Sequence, residues 1–195
     1  MKRVFIVHRW EGSPDEPMHK WLKKELKEKG FEVEVPEMPN PDEPEINAWI
    51  NKLKKVVREP DEDTYFIGHS IGCQGILRYL ETLGLGIKVG GAIFIAPWME
   101  LDEQTIKEEG EEVIEIAKPW TETSIDWDKV KSHSDNFVCI FSDDDAYVPL
   151  SNQKLFEEKL SSKIIMEHGK GHYSPDDNIE DNPAALAELL NISNQ

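Results

Sequence analysis

Apolar residues fall along this chain in two rhythms. Residues 4–7, 64–67, 92–96, 137–141 and 163–166 are short, mostly apolar runs, the pattern of strands covered on both faces. Residues 31–35 alternate apolar and acidic positions, which predicts an edge or half-buried strand. Between these runs, apolar residues return every three or four positions. Residues 17–29 carry Trp21, Leu22 and Leu26 on one face with lysines opposite, and Gly30 ends that helix. Residues 45–57 set Ile46, Trp49, Leu53 and Val57 at helical spacing, and residues 72–83 do the same with Ile76, Leu77 and Leu80. Residues 150–160 and 183–190 predict two more helices, the last opened by Pro183. Strands alternating with helices predict βαβ units, right-handed crossovers and a mostly parallel sheet.

One connection is out of proportion. Residues 97–136 separate the fourth and fifth strands, too many for a plain loop. The pattern predicts a helix over 101–116, an irregular stretch holding Trp120, and a short helix near 127–130. Together they make a modest cap or insertion at about 97–127.

Composition narrows the classes. A chain of 195 residues suits one domain, 1–195, with a sizeable core. The formal net charge of −17 argues against sequence-independent nucleic-acid binding and against docking on anionic membranes. No apolar run approaches the ~20 residues that a membrane span requires, and the first nine residues lack a leader pattern. A soluble cytoplasmic protein is the expectation. Cys73 and Cys139 lie in apolar stretches and read as buried, reduced thiols.

The chemistry begins at Gly68-His69-Ser70-Ile71-Gly72, a G-x-S-x-G between a predicted strand and a predicted helix. That setting forces Ser70 onto a sharp turn above the strand ends, with the next N–H, that of Ile71, beside it. A serine nucleophile needs a base, and the base needs an orienting carboxylate. Asp143-Asp144-Asp145 follows the fifth strand, and Gly169-Lys170-Gly171-His172 follows the sixth. Both therefore lie at carboxyl ends of strands, where open α/β sheets place their sites. Of six histidines, His172 sits on a glycine-flexed loop and is the expected base. His69 is expected to point away from the site, and His19 and His133 to be solvated. One of the three aspartates turns inward and the other two are expected in solvent; the residues alone leave open which. His168 and His172 form an H-x-x-x-H, but the glycines between them oppose the helix a metal pair needs. Three carboxylates on one run do not make a hard-cation site. No metal and no cofactor are expected.

The chain resembles the small α/β-hydrolases of the retinoblastoma-binding protein 9-like serine hydrolase family. The likeness runs through Val4-Phe5-Ile6-Val7-His8, Trp21-Leu22-Lys23-Lys24-Glu25-Leu26, the Ser70 pentapeptide, Arg78-Tyr79-Leu80-Glu81, Asp145-Ala146-Tyr147-Val148-Pro149 and Gly171-His172. It implies a three-layer α/β-hydrolase fold of about six mostly parallel strands in the order 2-1-3-4-5-6, with helices on both faces. It singles out Asp145 as the acid. It also implies that the Trp10 N–H joins that of Ile71 in the oxyanion hole. One departure stands out: such proteins usually follow the first strand with His-Gly, and here the run is His8-Arg9-Trp10.

The expected reaction is hydrolysis of an ester or related acyl bond of a small molecule through an acyl-enzyme. Arg9, Trp98 and Trp120 are candidate substrate contacts; a surface salt bridge for Arg9 and core packing for the tryptophans are the plainer alternatives. A catalytically weak interaction module, motivated by Arg9, and an acyltransferase or peptidase with the same triad are the rival readings.

Overall fold

The computed structural model describes residues 1–194. Its strands are β1 (Arg3–Val7), β2 (Glu32–Glu34), β3 (Thr64–His69), β4 (Gly91–Ile95), β5 (Phe137–Ser142) and β6 (Lys163–Glu167). They form one parallel sheet in the order β2-β1-β3-β4-β5-β6, as the resemblance implies. The helices are α1 (Pro17–Glu28), α2 (Ile46–Val57), α3 (Ile71–Glu81), α4 (Glu103–Glu109), α5 (Glu111–Glu122), α6 (Trp127–Lys131), α7 (Ser151–Leu160) and α8 (Pro183–Ser193).

Strand alternation decides what each helix covers. Phe5 and Val7 of β1 face Trp49 and Leu53 of α2, Ile76 and Leu80 of α3, and Phe156 of α7 in one core. Val4 and Ile6 face the other way, into a core built with Leu22 and Leu26 of α1 and Leu189 and Ile192 of α8. β3, β4 and β5 are buried throughout, which is why their sequences are continuous apolar runs. β2 is an edge strand whose Glu32 and Glu34 flank a buried Val33, so the alternation is read correctly. Charges on such an edge also discourage pairing with another chain.

The long connection differs from its sequence pattern. The helix expected over 101–116 is broken by Gly110, whose φ of +118° ends α4 and starts α5. Such a φ is open to glycine and costly for other residues. α5 then runs through Pro119, so Trp120 is helical and not in an irregular stretch. Trp120 is fully buried, packs edge-on against Trp49 with centroids 5.8 Å apart, and donates its indole N–H to the Pro44 carbonyl at 2.8 Å. Buried Arg78 of α3 clamps the end of α5, donating to the carbonyls of Trp120 at 3.0 Å and Thr123 at 2.8 Å.

His19 and His133 are fully buried, contrary to expectation. Each has a carbonyl to receive its Nδ1–H, Ser13 at 3.1 Å and Ile87 at 2.7 Å, so a neutral imidazole can be enclosed. Burial pulls the His19 pKa down to about 4. Cys73 and Cys139 are buried and unpaired, and burial pushes the Cys139 thiol up to about 12. Among the described residues, no helix is long and apolar enough to cross a membrane.

Candidate active site

β3 ends at His69, and the chain turns directly into α3 at Ile71. Ser70 makes the turn with φ 54° and ψ −122°, a conformation that costs a non-glycine residue roughly 1–3 kcal/mol. Neighbours hold it there: the Ser70 N–H donates to the Ile95 carbonyl at 2.8 Å, and the Ser70 carbonyl accepts from Cys73 at 2.9 Å. The turn also demands Gly72. A Cβ there would lie 2.7 Å from the His8 carbonyl oxygen and closer still to that of Val7. The second glycine of the motif thus lets α3 start against the end of β1.

Three side chains meet at the carboxyl ends of the strands. Ser70 Oγ is 2.8 Å from His172 Nε2. His172 Nδ1–H donates to Asp145 Oδ2 at 2.8 Å. Asp145 Oδ1 accepts from the N–H groups of Tyr147 at 2.9 Å and Val148 at 3.1 Å. With Asp145 accepting at Nδ1, Nε2 is the acceptor for the Ser70 hydroxyl. The Asp145 carboxylate is 2% exposed and faces the imidazole in a dry setting.

The other two aspartates are exposed, as expected of them, and each is hydrogen-bonded as well. Asp143 accepts from His168 Nδ1 at 2.6 Å and from the Gly169 N–H at 3.1 Å. The bond from His168 holds the Asp143 carboxyl below its usual range and raises the His168 imidazole. Asp144 accepts from Ser142 Oγ at 2.6 Å and from the Gly171 N–H at 2.8 Å. Three consecutive carboxylates thus anchor one loop, with the innermost on His172. Asp177 adds a fourth anchor, accepting from the His172 N–H at 3.0 Å. The sequence did not single out Asp177 as an anchor; it lies on a single 3₁₀ turn (Pro175–Asp177) after the loop.

His69 points away from Ser70, as expected, yet it serves the same centre. Its Nε2–H donates to the His172 carbonyl at 2.8 Å. Burial, with His172 and His19 nearby, keeps it neutral, well below the ordinary imidazole range.

The loop after β1 accommodates Arg9 without strain, since its φ is not positive. His8 supports this loop from both ring nitrogens, donating from Nδ1 to the Arg9 carbonyl at 2.8 Å and accepting the Met38 N–H at Nε2 at 3.0 Å. Among the described residues, the N–H groups of Trp10 and Ile71 are spent on no backbone or side-chain acceptor. The Arg9 guanidinium pairs with Glu16 at 2.9 Å, and both side chains are mostly buried. Burial raises the Glu16 pKa and Arg9 opposes that rise. Glu16, His19 and His69 offer ligand atoms within 4.8 Å of one another. The guanidinium already answers the Glu16 charge there, so the group suits an ion pair beside two neutral imidazoles better than a metal centre.

A cleft opens over Ser70 and His172. Trp10, Leu101, Ile106, Val113 and Tyr147 supply apolar wall, and Arg9 borders it. Its acids are Glu11, Glu109 and Asp176. Tyr147 OH donates to Glu109 at 2.9 Å, which ties α4 to the loop that carries Asp145. Trp98 and Trp120 are not part of this wall. Trp120 lies in the core behind α3, and Trp98 is buried with only its indole N–H reaching Ser70.

A family model described as serine hydrolase matches residues 4–191. The chain is 29% identical over 177 residues to the hydrolase YdeN of Bacillus subtilis (strain 168), covering 90% of this chain and 88% of the relative. It is 25% identical over 169 residues to the serine hydrolase RBBP9 of Rattus norvegicus, covering 86% of this chain and 79% of that one. The crystal structure of the ydeN gene product superposes with a TM-score of 0.88 at 28% identity, over 100% of both chains. Est1E of Butyrivibrio proteoclasticus shares the fold, with a TM-score of 0.72 at 16% identity over 100% of this chain and 89% of that one. With this fold, and with a family model spanning nearly its whole length, the chain belongs to the serine hydrolase family.

Proposed function

We propose that this protein hydrolyses an ester or related acyl bond of a small molecule through an acyl-enzyme on Ser70. The observation that carries the reading is the unbroken series Ser70 Oγ, His172 Nε2, His172 Nδ1 and Asp145 Oδ2, with 2.8 Å at each hydrogen bond. Ser70 attacks the acyl carbon while His172 takes its proton, and His172 then delivers that proton to the leaving group. Water repeats the sequence and frees the acid. Asp145 holds the proton on Nδ1 and stabilises the imidazolium. The N–H groups of Ile71 and Trp10 receive the oxyanion, a contribution worth roughly 3 kcal/mol for each donor.

The non-catalytic reading drew its motive from Arg9. That side chain is turned onto Glu16, so the departure from glycine no longer argues against chemistry. The same proposal includes a single α/β-hydrolase domain, a small-molecule acyl substrate and a cytoplasmic setting. A fluorophosphonate probe tests it. Wild type is expected to be labelled and Ser70→Ala is not. An unlabelled wild type, or equal labelling of the variant, would overturn the reading.

A further inference from the structure

Trp98 lies just beyond β4, in Ala96-Pro97-Trp98. Its side chain is buried, and its Nε1–H donates to Ser70 Oγ at 3.1 Å. An indole is a donor only, so the direction is fixed. The Ser70 hydroxyl donates to His172 while one Oγ lone pair accepts from Trp98.

A buried indole N–H needs some acceptor, and a carbonyl is enough. Trp10, Trp49 and Trp120 use the carbonyls of Asp42, Pro39 and Pro44. Trp98 instead uses the reacting atom. Its placement is also reinforced from α3. Gln74 Nε2–H donates to the Trp98 carbonyl at 3.0 Å, and Arg78 donates to Gln74 Oε1 at 3.1 Å. Gln74 and Arg78 are both buried, so a short polar chain inside the protein aims one N–H at the nucleophile.

We infer that Trp98 is a catalytic residue whose indole N–H stabilises Ser70 Oγ as the leaving group when the acyl-enzyme breaks down. This rests on the reading of Ser70 as nucleophile. In the acyl-enzyme, Oγ is an ester oxygen and a poor acceptor. Water adds to the acyl carbon and gives its proton to His172 Nε2. On collapse the C–Oγ bond breaks, its electron pair goes to Oγ, and His172 returns the proton there. Oγ carries most negative charge during that cleavage, and a hydrogen bond to a charged acceptor is roughly twice as strong as a neutral one. The resting enzyme already has the Trp98 bond, so acylation gains less from it. Only interactions that strengthen in the transition state accelerate a step, and the benefit therefore falls on deacylation.

Trp98→Phe keeps a large ring and removes the donor. With a p-nitrophenyl ester, the burst phase reads acylation and the linear phase reads deacylation. Deacylation is expected to slow about tenfold or more, with the burst rate within about threefold of wild type. A merely structural role would slow both phases together and raise KM. Trp98→His restores a ring N–H and is expected to recover deacylation relative to Trp98→Leu, which keeps the comparison open if the Phe variant folds poorly. Equal slowing of both phases, unchanged deacylation, or no advantage of His over Leu would overturn the inference. Failure of fluorophosphonate labelling in wild type would instead remove the nucleophile assignment beneath it.

Discussion

Asp145→Asn changes one atom of the proposed triad acid and keeps its shape. Its effect follows from what the other oxygen does. Asp145 Oδ1 accepts two backbone N–H groups, from Tyr147 at 2.9 Å and Val148 at 3.1 Å. The new amide must keep its oxygen there, because turning its NH₂ toward them would set donors against donors and lose two buried bonds of about 1–3 kcal/mol each. The NH₂ therefore faces His172 Nδ1 and donates to it. That drives the imidazole proton to Nε2, where it confronts Ser70 Oγ and the base can no longer accept. The imidazolium also loses its counter-charge. Together these effects are expected to lower kcat about 10⁴-fold, or ~5 kcal/mol of transition-state stabilisation. The assay is turnover of an activated ester beside the rate of fluorophosphonate labelling, with the thermal midpoint as a control that should scarcely move. Activity within tenfold of wild type would refute the reasoning. So would ¹⁵N spectra showing the variant's His172 proton still on Nδ1.

Gly72→Ala would press a methyl group onto the carbonyls of Val7 and His8; a loss of about 1–3 kcal/mol in urea unfolding is expected, and an unchanged midpoint would mean the loop after β1 yields freely. The His19 pKa lies near 4 against 6.5 when free, because burial disfavours its charge. The unfolded chain binds the proton first, so the stability this group contributes is full above pH 6.5 and is lost as pH falls toward 4. Stability is expected to drop by roughly 2 kcal/mol from this residue between pH 7 and pH 5, and His19→Gln should flatten that part of the profile; an equally steep fall in the variant would assign it elsewhere. Glu11, Glu109 and Asp176 border the cleft while Glu16 answers the charge of Arg9. Cationic esters are therefore expected to show a higher kcat/KM than anionic esters of the same acyl group, by a ratio that shrinks in high salt; a salt-independent ratio would rule out the field of these acids.

Local signals carried much of this architecture. The elbow was legible because a strand, Ser70 and a helix must abut, and the spacing of two glycines records that packing. The meeting of Ser70, Asp145 and His172 was legible because parallel strands deliver their following loops to one end. Packing between distant segments left no such trace. His19 and His133 look like surface residues until Ser13 and Ile87 supply carbonyls for them. Periodicity over 101–116 continues across Gly110, since spacing records which face is apolar and not where the backbone changes hand. Trp98 and Trp120 were recognisable as large apolar side chains, but only the fold separates the one beside Ser70 from the one behind α3. The roles of Asp143 and Asp144 were hidden because each has a partner some 25 residues on, in a loop whose path the sequence does not fix.

His69 and Ser70 are neighbours in the chain, and both hold His172: one grips its carbonyl, the other its ring. The proposed nucleophile and base are thereby gauged from a single peptide unit at the end of a central strand. A shift of the outer helices moves both together and leaves little play between them. The distance that chemistry depends on is thus set over two residues, although the partners stand 102 positions apart in sequence. In such an arrangement, a change that loosens the periphery should cost stability well before it costs rate, while a change at position 69, which touches no substrate, should act like wear in a bearing.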